Sequence, residues 1–367
     1  MKRIKLKDKL DYIQPTKYIV DSDQYSDEFI TPVLTAGDSF ILGYTNEKHG
    51  IYPASEKNPV ILFDDFTTSI QWVVFPFKVK SSACKILVPK TKDNLRYYFY
   101  AMRSIVFDHV LHKRYWISEF SEIEINDHDK KDQIVEELDG ISNLIIEKKN
   151  EISHFDELIK SRFNDMFAES LINKTRKCKF SDICESLIGL TYKPENVSDV
   201  GTIVLRSGNI QDGELYLKDD VVRVNNIAIK EEKMVRPLDI LMCSRNGSSR
   251  LVGKTCIIKN IEEPMTFGAF MAIIRTPFPY IVNSFMNTNY FRDQLTGTQT
   301  ASVNQITTKM LFDYDIFLPT GEEEKEFRDF VELIDKSKFV VQQQIKALQE
   351  LLDKKMDEYF NKTEETL

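Results

Sequence analysis

The chain has 367 residues, 42% of them hydrophobic, a mean hydropathy of −0.32 and a formal net charge of −8. That length allows two domains of ordinary size with real cores, and no apolar run approaches the ~18 residues of a membrane-spanning helix. The basic N-terminus MKRIKLKDKLDYI has no apolar stretch of the kind that marks a secretion signal. Five scattered cysteines without a CxxC pair read as free thiols in a reducing, cytoplasmic compartment rather than as a zinc site.

Residues 1–126 mix short apolar runs with turn residues, as in TPVLTAG, NPVILFDDF and ACKILVP. Such runs predict short strands joined by polar loops. The block opens on KLKDKLDYI and closes on a helical segment, NLRYYFYAMRSIVFDHV, before a last strand at FSEIEI. From residue 127 the pattern changes. No proline occurs between Pro89 and Pro194, and apolar residues recur at alternating steps of four and three, which predicts one long helix over 127–172. Residues 173–320 return to strand and turn with GTIVLRSGNI, RPLDILMCSRNG and FMAIIRTP. Their opening, CKFSDICESLIG, echoes the first, and YIVNSFMNTNYFRDQL precedes YDIFLP as a helix-then-strand close. A second long helix is predicted over 321–362, with a tail at 363–367.

The two helices say nearly the same thing. FDELIKSRFNDMF (Phe155–Phe167) is answered 193 positions later by LQELLDKKMDEYF (Leu348–Phe360). The first seam runs through Ile134, Leu138, Ile141, Ile145, Ile152, Phe155 and Ile159. The second runs through Phe327, Val331, Ile334, Val341, Ile345, Leu348 and Leu352. Lys148 and Arg162 interrupt one stripe, Lys338 and Lys355 the other. One offset keeps both seams in phase, which indicates a duplicated coiled-coil helix. With similar blocks in front of each, the repeat is expected to be the whole unit of domain plus helix. Gly140 falls inside the first helix, where it costs about 1 kcal/mol relative to alanine and makes a kink possible. The acidity sits in these segments: residues 127–172 hold 12 Asp/Glu against 6 Lys/Arg, and residues 321–367 hold 13 against 8. The remainder is mildly basic, so the overall charge is no objection to a nucleic-acid partner.

Catalytic signatures are missing from the sequence. All five histidines lie in the first half, so equivalent work by two halves cannot need imidazole. No GxGxxG, GxxxxGK[ST], HExxH or GxSxG occurs. Asp64 and Asp65 could bind Mg²⁺ in a nuclease, but neighbouring strand residues point to opposite faces. Polar loops suited to base and phosphate contact remain. In the second block these are Ser244, Arg245, Asn246, Ser248 and Arg250 around a type I′ turn expected at Asn246–Gly247. Thr298, Gln299 and Thr300 in TGTQTAS, Ser207 and Asn209, and Thr266 and Phe267 join them. In the first block the candidates are Ser39, His49, Asp64, Asp65, Thr67 and Thr68, then Lys78, Lys80 and Ser81, then His112, Lys113, Arg114 and Tyr115. No metal site is expected.

The phrases TPVLTAGDSFILGYTNEKHGIYPASEKNPVILFDDFT, KVKSSACKILVPK, RPLDILMCSRNGSSRLVGKTCIIKN, TGTQTASVNQITTKMLFDYDIFLP and IKALQELLDKKMDEYF carry a resemblance over essentially the whole chain. It resembles the specificity (S) subunit of type I restriction–modification enzymes. The resemblance implies an α+β fold: two mixed α/β target-recognition domains, at 1–126 and 173–320, separated by two long antiparallel coiled-coil helices with an internal pseudo-two-fold repeat. It implies that each domain reads one half of a bipartite double-stranded DNA target. The helices would set the spacer and dock two methyltransferase subunits, which restriction/translocase subunits join. This chain would bind no cofactor; S-adenosylmethionine, ATP and Mg would belong to the partners, and catalysis with them. An orphan DNA-binding adaptor of the same fold, and a metal nuclease using Asp64/Asp65, are the alternatives.

Overall fold

The computed structural model describes residues 2–35, 40–106, 114–218, 221–296 and 305–361. The chain divides into two compact units, residues 1–150 with 341–367, and residues 151–340. These units do not coincide with the sequence blocks. Each takes in one domain together with part of both long helices.

In the first unit, Arg3–Lys5 pairs antiparallel with Glu124–Asn126, a single helical turn follows at Leu6–Lys9, and Leu10–Ile13 starts the main sheet. That sheet is antiparallel in the order Leu10–Ile13, Cys84–Pro89, Val60–Asp64, Ile70–Val73. A smaller sheet sets Ile41–Thr45 antiparallel to Thr31–Leu34, which runs parallel to Lys78–Val79. The helix Leu95–Arg103 covers the main sheet with Asn94 as its N-cap, accepting from the Arg96 N–H at 3.0 Å.

The second unit repeats this plan, with a four-stranded smaller sheet in place of the three-stranded one. Lys177–Lys179 pairs with Asp315–Phe317, a turn of helix follows at Phe180–Ile183, and Glu185–Ile188 starts the main sheet. The order is Glu185–Ile188, Met271–Arg275, Ile240–Cys243, Thr255–Ile257, again antiparallel. The smaller sheet again ends in a parallel pair, Thr202–Leu205 with Met265–Phe267. The helix Pro279–Met286 stands where Leu95–Arg103 stood. The likeness of KLKDKLDYI to CKFSDICESLIG thus has a structural basis. Leu6 and Phe180 are both buried in the opening turn, and the carbonyl of each accepts the N–H of the residue that closes the turn, Leu10 or Cys184. The constant 193-residue offset does not extend into the domains: Arg3 answers Lys177, and Glu124 answers Asp315. The second domain has gained residues in its loops, including the hairpin Ile210–Gln211 with Glu214–Leu215.

The long helices are Lys131–Ile172 and Gly321–Phe360, of 42 and 40 residues; at ~1.5 Å per residue each is about 60 Å long. Their pairing is antiparallel within each unit. In the first, Ile134, Leu138, Ile141 and Ile145 share a core with Leu352, Met356 and Phe360. In the second, the rings of Phe163 and Phe167 lie 5.8 and 6.0 Å from that of Phe327, with Val331 in the same core. Every expected seam residue is buried or half-buried. At the far end of each copy, however, the buried residues are Phe163 and Phe167, and Met356 and Phe360, one position beyond the strict heptad. A straight helix drifts about 20° per heptad. Over four to five heptads that amounts to one residue, so the stripe moves on by one.

Three of the four seam cations are seen to pair across the helices. Lys338 is buried and bonds Asp156, Arg162 bonds Glu326, and Lys355 bonds Glu137 at 2.8 Å. Gly140 lies within the unbroken central helix, and a Cβ there would meet nothing within 4 Å. Gly140→Ala should therefore stabilise the protein by about 0.5–1 kcal/mol through the unfolded chain and the helix backbone, read as a rise in Tm.

Glu324, in the first turn of the distal helix, is buried and accepts the N–H groups of Tyr280 and Ile281 at 3.1 and 3.2 Å. Burial pushes its carboxyl up to about 7, against the downward pull of those N–H bonds and of Arg328. Between the ordinary carboxylate range and about pH 7 the native state holds a proton that the unfolded chain has released. Stability from this group therefore falls as pH rises through that window and stays lower above it. Glu324→Gln should flatten the decline and gain on the order of 1–3 kcal/mol at pH 8, measured by urea unfolding at pH 5 and 8.

Candidate nucleic-acid interface

Both domains build the same junction at one end of the main sheet. In the first, Val60–Asp64 ends opposite the start of Cys84–Pro89, with Asp64 facing Cys84. The Asp65 N–H then donates to Ala83 O at 2.9 Å, and Asp65 O accepts the Tyr115 N–H at 3.0 Å. In the second, Ile240–Cys243 ends opposite Met271–Arg275, with Cys243 facing Met271. The Ser244 N–H donates to Phe270 O at 3.0 Å, and Ser244 O accepts the Ile306 N–H at 2.7 Å. Three segments distant in sequence thus meet twice in one arrangement.

An arginine lies against an exposed phenylalanine at the rim of each junction. The Arg114 guanidinium is 5.8 Å from the Phe66 ring centre, and that of Arg245 is 5.3 Å from the Phe270 ring centre. Phe66 is 37% exposed and Phe270 59%. Among the described residues, neither guanidinium has a carboxylate partner. Neither phenylalanine stood among the sequence candidates. An aromatic in a polar loop gives no sign in one dimension of which cation will stack on it.

Of the other candidates, His49, Thr67, Ser81, Ser248 and Arg250 are exposed, and Thr68, Ser207 and Ser244 are half-buried. Lys80 is half-buried and tied to Asp23, with Tyr25 at 3.3 Å. Ser39, His112, Lys113, Thr298, Gln299 and Thr300 lie outside the described residues.

Seven candidates are corrected by burial, because a side chain enclosed by protein has no surface to offer a base. Asp64 accepts the Phe66 N–H at 2.7 Å. Asp65 accepts the Trp116 N–H at 2.9 Å and faces the buried Lys85 at 3.4 Å. Lys78 is held by Glu47 at 2.5 Å and by His49 O. Asn209 spends its amide on Arg206 N–H and Tyr216 O. Thr266 donates to Lys233 O, and Phe267 and Tyr115 are core residues. The strand Val60–Asp64 is buried on both faces, so alternation along it cannot put Asp64 in solvent.

The expected type I′ turn is also corrected. Cys243 pairs with Gly253 and Lys254, so the connection is a long loop with a 3₁₀ turn at Ser249–Leu251, and its left-handed residue is Gly253, at φ 81°. Asn246 folds back onto this loop, accepting the Ser248 N–H and donating to Ser207 Oγ at 3.1 Å.

Among the described residues no group of three or more His, Cys, Asp or Glu side chains could hold a metal ion, and no helix is long and apolar enough to cross a membrane. The five cysteines are free; burial pushes the thiols of Cys84, Cys184 and Cys256 up to about 12. Asp65→Ala should destabilise the first domain by about 3–5 kcal/mol, because Lys85 is left charged and buried. Chemical denaturation measures that loss, where a surface contact residue would show none.

No known family model matches the chain. Over 119 residues it is 54% identical to the specificity subunit of the type I restriction enzyme EcoR124I/EcoR124II of Escherichia coli, a stretch covering 31% of this chain and 29% of that one. It is 26% identical over 153 residues to the StySPI specificity subunit of Salmonella potsdam, covering 40% of this chain and 33% of that one. The match to the EcoKI specificity subunit of Escherichia coli strain K12 is also 26% over 153 residues, covering 40% and 32%. The chain thus matches about a third of the length of these curated relatives. Among solved structures it is similar to the S subunit of a type I restriction–modification system from M. genitalium, with 11% identity, a TM-score of 0.48 and 99% and 96% of the two chains covered. The HsdS subunit from Thermoanaerobacter tengcongensis gives 14%, 0.38, and 98% and 96%.

Proposed function

We propose that this chain is the sequence-recognition subunit of a type I restriction–modification assembly, non-catalytic in itself. The observation that carries the reading is the 54% identity over 119 residues to a specificity subunit. The duplication fits it: two domains of one topology, each followed by a long helix, suit a target with two half-sites. In this reading each domain contacts one half of a bipartite DNA sequence, and the helices hold the halves at a set spacing.

The helices also offer a docking surface. Ile146 and Phe339 are exposed, as are Leu158 and Leu351, and each pair occupies the same position in the two helix copies. Repeated apolar positions of this kind suit two identical methyltransferase subunits. Those partners would hold S-adenosylmethionine, and associated restriction/translocase subunits would use ATP and Mg. The nuclease alternative loses support from the burial of Asp64 and Asp65.

The test is a methyladenine map of the source genome with the gene intact and deleted. One bipartite motif should lose its methylation on deletion. A map that keeps every motif would rule the reading out.

A further inference from the structure

We infer that the two arginine–phenylalanine pairs, Arg114 on Phe66 and Arg245 on Phe270, are the points at which the domains read a guanine, one in each half-site. The inference rests on the function proposed above and names the residues that would determine specificity within it.

The geometry of the junctions carries it. The pairs occupy the rim of the same three-segment junction in both domains, yet their residues come from different segments. Phe66 and Arg245 each lie two residues beyond the matched strand ends, Asp64 and Cys243. Phe270 precedes the strand Met271–Arg275, whereas Arg114 belongs to the segment that returns to the junction through Tyr115. The position two beyond the strand end holds the ring in the first domain and the cation in the second, and its partner comes from a different segment in each, while the pair itself has stayed. Ancestral sequence alone would have kept the residue types in register, so the shared feature is the pair at that location.

The chemistry is specific. A guanidinium held over a ring face, here at 5.8 and 5.3 Å from the ring centres, keeps fewer rotamers and has less entropy left to lose on binding. Without a carboxylate partner among the described residues, those donors are unspent. Bidentate donation to guanine O6 and N7 is the base contact such a fork matches. Phe66 and Phe270 are then positioning residues, acting through the arginines.

The experiment replaces the chromosomal gene in the source cells and maps methyladenine. Arg245→Lys and Phe270→Leu should each degenerate one and the same guanine position in one half of the motif. Methylation at sites with another base there should rise at least about tenfold, with the other half and the spacing unchanged. Arg114→Lys and Phe66→Leu should do the same in the other half. Phe270→Trp and Phe66→Trp should keep the parent motif, because an indole face also holds a guanidinium. Melting of the purified chains should match the parent, since both rings are exposed. An unchanged motif in the leucine variants would overturn the inference. So would a uniform drop at all sites, which marks a phosphate contact, or a fall in Tm accompanying the loss, which marks a structural role. A parent map with no motif that depends on this gene would instead overturn the function on which the inference rests.

Discussion

The attachment of each domain to a long helix is what the rest of the molecule depends on, and it is made the same way twice. Tyr100, on the helix covering the first domain's sheet, donates to Asp139 of the central helix at 2.6 Å. Tyr280, on the corresponding helix of the second domain, donates to Glu332 of the distal helix at 3.1 Å. Asp139 and Glu332 are separated by the same 193 positions as the helix seams. A hydrogen bond to a charged acceptor contributes about 1.5–3 kcal/mol, and here it fixes azimuth as well as holding the parts together. Arg96 adds a second bond to Asp139 at 2.8 Å. Around these bonds, apolar side chains of the domain and both helices form one core in each unit.

Each long helix therefore serves two partners, the other helix and a domain, with different parts of its surface. This explains a stripe that is broken by lysine and arginine without losing its pairing. At Lys338, Arg162 and Lys355 a carboxylate on the other helix meets the cation, so the interruption becomes a register device. It also explains why acidic residues concentrate in these segments, where they supply the partners of seam and domain cations.

The loops behave differently. Of the polar residues that looked free in the sequence, Asp64, Asp65, Lys78, Asn209 and Thr266 hold the domains' own backbone or buried charges. Small domains with short strands leave many backbone groups outside ladders, and buried backbone groups must find partners. Side chains near the strand ends are taken up by that demand. The residues with donors to spare, Arg114 and Arg245, lie one step further out on phenylalanine faces.

The sequence by itself determined what is periodic or local: the two long helices and their near-boundaries, the duplication, and the likeness of the two domain openings. These depend on contacts between residues close along the chain or related by one repeating step. Tertiary structure decided what depends on distant segments meeting: the one-residue shift of the seam, the drift of the repeat through longer loops, the burial of the aspartates and Lys78, and the pairing of Arg114 with Phe66 and of Arg245 with Phe270. A side chain's exposure is set by what packs over it. For the strand Val60–Asp64, with neighbours on either side and core above and below, no pattern along the strand carried that information.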